Sequence, residues 1–357
     1  MNLTKKIISW YHRNKRDLPW RNTNDPYKIW VSEIILQQTR IDQGMGYYFR
    51  FLEHFSTLSE LAAASEEEVL KTWQGLGYYT RARNMHATAN EIMEKYQGNF
   101  PQDYESILNL KGIGKYTAAA IASLAFGMPY AVIDGNVLRF LSRFFGIEES
   151  VDRSKGMNII KQLAGQWMDR KNPGTYNQAL MEFGALQCVP RNPDCGVCPL
   201  KQNCTAYLRG ITDLIPVRSK SLNIRQRYFN YLVILKNEKN KTGKIWLRKR
   251  TGNDVWKNLY DFPLIESKEA ISEKKLESSP EWEKLFHGQN PGIVKVTGPF
   301  KHVLSHQVIN ATFYIIRHVP DSTLPFLKIS IHAMEKYPMP RLIEIFVNDL
   351  RKSLKQG

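Results

Sequence analysis

The sequence predicts two domains, an all-α domain followed by a smaller α+β domain, and three observations lead to this prediction. The length of 357 residues is about that of two ordinary domains. Residues 1–187 carry apolar side chains at helical spacing, without a long alternating stretch. After Pro216 the chain contains runs rich in aromatic and β-branched residues, such as residues 228–235, which are typical of strands.

Helix start signals mark the first half of the chain. Asp25 followed by Pro26 predicts a helix with a carboxylate cap and a proline in its first turn. Ser65 followed by Glu68 predicts a capping box at the start of another helix. Residues 118–124 form an apolar run that predicts a buried helix.

Strands and helices are mixed in the second half. Residues 244–250 alternate between apolar and polar side chains, which predicts a partner for the first strand, and residues 310–318 predict a further strand. Residues 268–287 and 341–355 predict helices. A proline and several charges within residues 211–227 predict a linker between the two domains.

The chain is strongly basic, and the excess is uneven. It has 50 Lys and Arg against 34 Asp and Glu, a formal net charge of +16. Residues 1–215 contribute a net charge of +4 and residues 216–357 a net charge of +12. An excess of this size indicates a polyanionic partner such as nucleic acid, although a generically basic surface would also produce it.

The sequence also bears on where the protein acts. No stretch approaches the roughly 18 apolar residues that a membrane span needs. The first ten residues lack the long apolar core and cleavage site of a signal peptide, so they predict a helix. We therefore expect a cytoplasmic protein, monomeric and without a membrane partner.

All four cysteines lie in one short window, at Cys188, Cys195, Cys198 and Cys204. Prolines and glycines between them predict a wrapped loop. Thiolates this close together indicate a metal centre, and both zinc and a 4Fe–4S cluster are chemically possible. The spacing resembles the cluster loop of the endonuclease III superfamily of DNA glycosylases, and this resemblance implies a structural 4Fe–4S cluster bound by the four thiolates.

Two glycines, Gly112 and Gly114, separate two helical segments and are followed by Lys115. Glycine permits close backbone approach, and the free N–H groups of a following helix favour a phosphate. An ordinary connector between helices would look similar. Together with the cysteine loop, the pattern resembles the helix–hairpin–helix of the same superfamily, which implies that these three residues contact the DNA backbone without reading its sequence.

Asp134 follows the hairpin by about twenty residues and opens the string Asp-Gly-Asn. Such a string commonly caps a helix, and a capping role does not prevent a catalytic one. In the resembled superfamily a catalytic aspartate occupies this position. The resemblance therefore implies that Asp134 serves the reaction, with Asn136 and Tyr116 orienting the reacting groups and the attacking water.

Two N-terminal stretches distinguish families within this superfamily. Residues 18–21, Leu-Pro-Trp-Arg, and residues 30–40 resemble the signature of the MutY family of adenine glycosylases. In that family the general acid is the glutamate at the position of Glu33. A lone glutamate on a helix is normally solvated, but its neighbours Ile34 and Leu36 predict burial, which raises the pKa of a carboxyl group and keeps it protonated.

The same resemblance implies the parts of a substrate site. Leu18, Trp20 and Arg21 are the candidates for a pocket that receives an adenine flipped out of the duplex. Gln38 and Tyr78 would enter the duplex near the lesion, although packing in a core would also explain a tyrosine at position 78.

One residue separates two reaction types. Bifunctional relatives carry a Schiff-base lysine two residues after the second hairpin glycine, and Tyr116 occupies that position here. Lys115 is adjacent, but successive residues point about 100° apart around a helix. We therefore expect a monofunctional glycosylase, in which Glu33 protonates adenine and an ionised Asp134 stabilises the positive charge that develops on the sugar.

The resemblance also divides the chain. It implies a glycosylase domain over residues 1–210, a linker over residues 211–227 and a Nudix-like (MutT-like) domain over residues 228–357 that checks for 8-oxoguanine opposite the adenine. Ser305 and His306 would bind the oxidised base, and the residue before them is leucine where the family has phenylalanine. The metal-binding signature of Nudix pyrophosphatases is absent from the sequence, so we expect no nucleotide hydrolysis.

The sequence thus predicts a base-excision repair enzyme that hydrolyses the N-glycosidic bond of adenine opposite 8-oxoguanine or guanine in double-stranded DNA. A pyrimidine-lesion glycosylase/lyase like endonuclease III would share the hairpin, Asp134 and the cysteine loop, but not Tyr116 or the N-terminal stretches. A non-catalytic DNA-binding iron–sulfur protein would require Glu33 and Asp134 to be merely structural.

Overall fold

The computed structural model describes residues 3–219, 224–236, 243–289, 291–317 and 324–355. Its internal contacts divide the chain into two compact units. The first contains Met1–Ala63 and Asn84–Lys220, and the second contains Ala64–Arg83 and Ser221–Gly357. Residues 64–83 therefore pack with the C-terminal part of the chain, although they lie inside the range predicted for the helical domain.

Helices account for the regular structure before residue 220, as the sequence predicts. They are α1 (Leu3–Asn14), α2 (Pro26–Leu36), α3 (Ile41–His54), α4 (Leu58–Ala63), α5 (Glu66–Thr72), α6 (Thr80–Tyr96), α7 (Tyr104–Asn109), α8 (Lys115–Phe126), α9 (Gly135–Phe145), α10 (Ser154–Gln166), α11 (Pro173–Leu186) and α12 (Thr205–Leu208). Short 3-10 turns occur at Pro19–Arg21 and Lys201–Asn203. Within the described ranges, no helix has both the length and the apolar character to cross a membrane.

The predicted helix starts are confirmed. The Asp25 side chain accepts hydrogen bonds from the backbone N–H groups of Tyr27 and Lys28, and Pro26 opens α2. At α5, the hydroxyl of Ser65 accepts from the backbone N–H of Glu68, whose carboxylate accepts from the N–H of Ser65 in return. These contacts satisfy N–H groups that a helix leaves without internal partners.

The core of the first unit forms where α11 packs against α1 and α9. The rings of Trp10 and Phe140 each meet Phe183 edge-on, with centroids 4.9 Å apart. Gly184 permits this packing, because a Cβ atom there would lie 2.5 Å from the backbone oxygen of Asn136. The absence of a side chain at one position therefore lets α11 approach the start of α9.

In its C-terminal part, the second unit contains a mixed sheet, three helices and a 3-10 helix among the described residues. The strands are β1 (Arg225–Lys236), β2 (Lys244–Lys249), β3 (Tyr260–Asp261), β4 (Leu264–Ser267), β5 (Ile293–Val303), β6 (Gln307–Ile316) and β7 (Leu327–Ser330). The helices are α13 (Glu273–Glu277), α14 (Pro280–Phe286) and α15 (Arg341–Lys355), and the 3-10 helix is Ile331–Lys336.

The central strand β1 runs parallel to β6 and antiparallel to β2 and β4, while β5 pairs antiparallel with β6. The two predicted strands at 228–235 and 244–250 are confirmed as antiparallel partners. The strand predicted at 310–318 begins earlier, at Gln307, and residue 318 lies outside the described residues.

Two features of the second unit differ from the sequence prediction. The prediction of one helix over residues 268–287 is wrong, since α13 ends at Glu277 and α14 begins at Pro280. Pro280 lacks the N–H needed to continue α13, and Ser279 instead caps the new helix. Strand β5 was not predicted, because most of its residues are exposed and its sequence gives no clear alternation.

Aromatic stacking and hydrogen bonds connect parts of the second unit that are distant in sequence. The ring of Phe313 stacks on Phe346 with centroids 3.9 Å apart, and on Tyr231 with centroids 5.1 Å apart. The segment 64–83 is attached to this unit by hydrogen bonds. The hydroxyl of Tyr260 donates to Glu67 over 3.0 Å, and the hydroxyl of Tyr79 donates to the backbone oxygen of Met339 over 3.1 Å.

The close approach at Gly184 leads to a stability prediction. Gly184→Ala places a methyl group against backbone that cannot move aside, so the free energy of unfolding should fall by about 1–3 kcal/mol. Gly46→Ala is the matched control. It lies in the interior of α3 with open space around its Cβ position, so it should gain about 0.5–1 kcal/mol through helix propensity.

Denaturant unfolding followed by circular dichroism measures both variants. Equal stability changes at the two positions would contradict the proposed packing of α11 against α9.

Candidate active site

A cleft of about 890 Å³ opens in the first unit, and it brings together all seven residues that the sequence assigned to catalysis and to the adenine pocket. Its volume is in the range of small-molecule sites, which are usually about 300–1,000 Å³. The cleft is lined by the predicted residues Leu18, Trp20, Arg21, Glu33, Tyr116, Asp134 and Asn136.

Glu33 lies in the middle of α2, where residues Ile29 to Ile35 are all buried. Its own exposure is 7%. Burial, with a smaller contribution from the charge of Asp134, raises the pKa of its carboxyl group to about 7. Tyr116, within hydrogen-bonding reach, and the charge of Arg21 oppose this rise. A carboxyl group with such a pKa can donate a proton near neutral pH.

Asp134 caps α9, and three donors hold its side chain. The backbone N–H groups of Asn136 and Val137 donate to Oδ1 over 2.9 and 2.7 Å, and the Asn136 side-chain amide donates to Oδ2 over 2.6 Å. Burial raises the pKa of Asp134, while these donors and the charge of Arg139 favour the anion. Arg139 also donates to the side-chain oxygen of Asn136 over 3.0 Å, which fixes the orientation of that amide.

Tyr116 and Lys115 open α8 but differ in their surroundings. The Tyr116 hydroxyl lies beside Glu33 and 3.8 Å from the sulfur of Met181, and burial holds its pKa well above the usual range. The Lys115 side chain is exposed and is not among the residues that line the cleft. The hydroxyl, rather than the amine, therefore faces the two carboxyl groups.

The three pocket candidates have different surroundings. Leu18 and Trp20 are buried and contribute apolar wall, and the Trp20 ring meets Tyr48 edge-on at 5.2 Å. The guanidinium of Arg21 is bound by the buried carboxylate of Glu182, with N···O distances of 2.9 and 2.7 Å.

Sequence reasoning missed Glu182 and its second partner, Arg16. A signal was present, because Glu182 is the one charged residue of the otherwise apolar or neutral helix α11. A single acid on a buried helix face requires a partner, since an unpaired buried charge is costly. The sequence alone does not identify that partner, which lies more than 160 residues away.

The hairpin has the backbone that its glycines predict. Gly112 has φ +77°, and a Cβ atom there would lie 2.6 Å from the Cβ of Asn84. Gly114 caps α8 and has open space around it. The exposed start of α8 and the exposed Lys115 thus leave room for a phosphate against the helix N-terminus.

Gln38 and Tyr78 share a rare backbone conformation, with φ of +60° and +48°. Residues other than glycine adopt this left-handed region at a cost and often near functional sites. Tyr78 belongs to the second unit, where its ring is 49% exposed and the guanidinium of Arg81 lies 5.3 Å from its centroid. Its exposure excludes the alternative that Tyr78 packs in a core.

The hairpin between β5 and β6 presents Ser305 and His306. The backbone N–H of Leu304 donates to the oxygen of Gln307 over 2.8 Å, which makes Ser305 and His306 the two residues at the tip. Both side chains are exposed, with 3.2 Å between the Ser305 hydroxyl and Nδ1 of His306. Polar groups at an exposed tip are available to a ligand.

The four cysteines surround one cavity of the first unit, floored by Phe140, Phe144, Phe183 and Leu200. Within the described ranges, no three His, Cys, Asp or Glu side chains are close enough to hold a single metal ion. The four thiols instead line one shared cavity. Burial raises the pKa of Cys198 to about 11, so an empty site would favour thiols. Bound iron would supply the positive charge that favours thiolates.

Arg143 ties this cavity to the helical core. Its side chain donates to the backbone oxygens of Thr212, Ile215, Val189 and Pro190, and Nη1 lies 3.6 Å from Sγ of Cys188. The four cysteine thiols, the apolar wall of the cavity and the positive charge of Arg143 all suit an anionic iron–sulfur cluster with four thiolate ligands.

Three family models match separate parts of the chain. Residues 31–166 match the HhH-GPD superfamily base excision DNA repair protein, residues 188–204 match the iron-sulfur binding domain of endonuclease III, and residues 231–349 match the NUDIX domain. These matches confirm the predicted fold class, and the match over the cysteine loop confirms a 4Fe–4S cluster over zinc.

Curated relatives extend the similarity over most of the chain. The adenine DNA glycosylase of Buchnera aphidicola subsp. Acyrthosiphon pisum is 36% identical over 279 residues, which cover 76% of this chain and 77% of the relative. That of Buchnera aphidicola subsp. Baizongia pistaciae is 34% identical over 325 residues, covering 88% and 86%. That of Mus musculus is 41% identical over 236 residues, covering 62% and 46%.

Solved structures resemble the helical part. A thermostable thymine-DNA glycosylase matches with a TM-score of 0.54 and 30% identity, over 58% of this chain and 95% of that one. A non-covalent endonuclease III–DNA complex matches with a TM-score of 0.51 and 22% identity, over 58% and 94%, which shows a shared fold.

The two Buchnera glycosylases are more than 30% identical to this chain over more than two thirds of their own length. This similarity excludes the alternative of a non-catalytic DNA-binding iron–sulfur protein. The chain belongs to the adenine DNA glycosylase family of base-excision repair enzymes.

Proposed function

We propose that the enzyme removes adenine paired with 8-oxoguanine, or with guanine, in double-stranded DNA and leaves the strand intact. The observation that carries this proposal is a pair of carboxyl groups in one cleft with different surroundings. The environment of Glu33 favours its acid form, and the donors around Asp134 favour its anion. One neutral acid and one carboxylate is the arrangement of glycoside hydrolysis.

The first step places adenine in the cleft, which requires the nucleotide to leave the base stack. Leu18 and Trp20 supply the apolar wall on which a purine ring can lie. Gln38 and Tyr78, with their strained backbones, are our candidates for side chains that enter the duplex. The glycines of the hairpin and Lys115 would bind the backbone of the same DNA.

The second step breaks the N-glycosidic bond. Glu33 gives its proton to N7 of adenine, so the base leaves as a neutral molecule. The sugar is left with positive charge, which the carboxylate of Asp134 stabilises by about 4 kcal/mol at about 4 Å and an effective dielectric constant near 20. Asn136 fixes that carboxylate, and Tyr116 positions the Glu33 carboxyl group. Water then completes the hydrolysis.

The four cysteines would hold the 4Fe–4S cluster, whose contribution is to fold the loop against α9 and α11. For the C-terminal region we propose a Nudix-like domain over about residues 228–357 in which Ser305 and His306 recognise the oxidised base. We also propose that the protein acts on DNA in the cytosol as a monomer.

The alternative function, a pyrimidine-lesion glycosylase/lyase, requires a group that the lining of the cleft does not provide. A lyase needs an amine at the sugar, and the hairpin position that faces the cleft is Tyr116. Lys115 is exposed outside the cleft lining.

The proposed roles of Glu33 and Asp134 predict how their variants change the single-turnover rate of adenine excision opposite 8-oxoguanine. Glu33→Gln should slow excision about 10²–10⁴-fold, as expected for loss of a general acid. Asp134→Asn should slow it about 10³-fold through lost charge stabilisation. Glu105→Gln, on the exposed first turn of α7, is a control that should keep the wild-type rate.

The pH profile of the wild type should be bell-shaped. Glu33 must be protonated, so the rate should fall as the pH rises through about 7. Asp134 must be ionised, so the rate should also fall as the pH drops through its raised pKa. Full activity of Glu33→Gln at all pH values would reject the assignment of the acid.

The position of Tyr116 leads to a prediction about strand cleavage. A duplex with adenine opposite 8-oxoguanine should be cleaved only after alkali treatment, because the enzyme leaves an intact abasic site. Lys115→Ala should give the same result, and borohydride should trap no covalent adduct in either protein. Cleavage without alkali that disappears in Lys115→Ala would instead assign a lyase amine to that residue.

The hairpin tip leads to a prediction about the opposite base. Ser305→Ala combined with His306→Ala should reduce the preference for 8-oxoguanine over guanine, since each hydrogen bond contributes about 0.5–1.5 kcal/mol. The preference is measured as the ratio of excision rates for the two mispairs. Lys295→Ala on the exposed part of β5 is the control, and an equal change of the ratio in both proteins would argue against recognition by the tip.

A further inference from the structure

Glu182 is a fully buried carboxylate at the wall of the cleft, and the proposed reaction does not use it. It lies in α11 with 0% exposure and accepts five hydrogen bonds. Three come from Arg16, through its backbone N–H at 2.8 Å, Nε at 2.9 Å and Nη2 at 2.5 Å. The other two come from the guanidinium of Arg21, as described above.

The ionised form of Glu182 is strongly favoured. Burial alone would raise its pKa, but the hydrogen bonds from Arg16 and Arg21 outweigh burial and lower the pKa to about 2. We therefore expect the group to be ionised near neutral pH. Two guanidinium groups share that charge, and Arg21 is the more buried of the two, with 10% side-chain exposure against 36% for Arg16.

Arg21 connects this ion pair to the acid. Its guanidinium lines the same cleft as Glu33, and its positive charge acts on the Glu33 carboxyl group. A positive charge beside a carboxyl group favours the anion, which is the wrong form for a general acid.

We propose that Glu182 is a positioning residue for the general acid, which clamps Arg21 against the cleft wall and offsets its charge so that Glu33 keeps its proton. This inference rests on the proposed function, in which Glu33 is the proton donor. It adds Glu182 and Arg21, which are hydrogen-bonded to each other in the lining of the same cleft, to the two carboxyl groups of the reaction.

Other charged groups also face Glu33 or line the cleft. Tyr116 faces it from α8, and Asp134 from the start of α9. Asp17, Arg40 and Asp42 line the cleft as well, but their side chains are exposed to solvent, which screens their charges. None of these five residues is substituted in the variants at Glu182 and Arg21.

The test is the pH dependence of single-turnover adenine excision by the full-length, cluster-containing protein, with a duplex that holds adenine opposite 8-oxoguanine. Glu182→Gln keeps the shape of the side chain and removes its charge. The alkaline limb of the profile should move down by about one pH unit, at the lower end of what a nearby charge produces. Arg21→Gln should move the same limb upward, because it removes the charge that favours the Glu33 anion.

Two further variants complete the test. Glu182→Asp keeps the charge and should restore the limb toward its wild-type position. Glu148→Gln makes the same change of charge at an exposed ion pair with Arg209, which is not part of the cleft lining, and should leave the limb where it is.

The outcomes separate the inference from the proposed function. A uniform loss of rate in Glu182→Gln, with the limb unmoved, would mean that Glu182 is only structural and would overturn the inference. If absorbance shows that Glu182→Gln loses its cluster, the pH profile of Arg21→Gln tests the inference instead. An alkaline limb that stays in place or moves down in Arg21→Gln would overturn it. Undiminished excision by Glu33→Gln would overturn the proposed function itself.

Discussion

The proposed chemistry of the cleft depends on one constraint, which is that two neighbouring carboxyl groups must carry different charges. Secondary structure supplies the difference. Glu33 lies mid-helix, where the surrounding backbone N–H groups already serve the helix, so burial dominates and favours the acid form. Asp134 lies at a helix start, where the N–H groups of Asn136 and Val137 lack helical partners and bind its carboxylate. Placing one carboxyl group inside a helix and the other at a cap separates their roles.

Helix α11 contacts several of the elements that position these two carboxyl groups. Its Asn177 accepts a hydrogen bond from the backbone N–H of Val132 over 3.1 Å and donates to the oxygen of Tyr130 over 2.8 Å, which holds the segment leading to Asp134. Its Gly184 allows contact with the backbone at the start of α9. Its Glu182 binds Arg21. One helix thus contacts the segment that leads to the proposed anion and binds an arginine in the cleft of the proposed acid, although it contributes no proposed reacting group.

Much of the fold and part of the site were predictable from local sequence. Caps at Asp25 and Ser65, the cysteine window and the burial of Glu33 all follow from residues close together in the chain. The partners of Glu182 were not predictable, because an ion pair between residues more than 160 positions apart leaves no local pattern. The break before Pro280 was available in the sequence but was outweighed by helical composition on either side.

The grouping of residues 64–83 with the C-terminal part has the same origin, since helical periodicity does not reveal which core a helix face joins. Glu67 and Tyr79 bind Tyr260 and Met339, so this segment is fixed by hydrogen bonds to residues about 190 and 260 positions later. The loop that bears Tyr78 therefore belongs to the same compact unit as the hairpin tip at 305–306. If Tyr78 enters the duplex and the tip reads the base opposite adenine, one unit holds both probes, and a change in its packing should disturb them together.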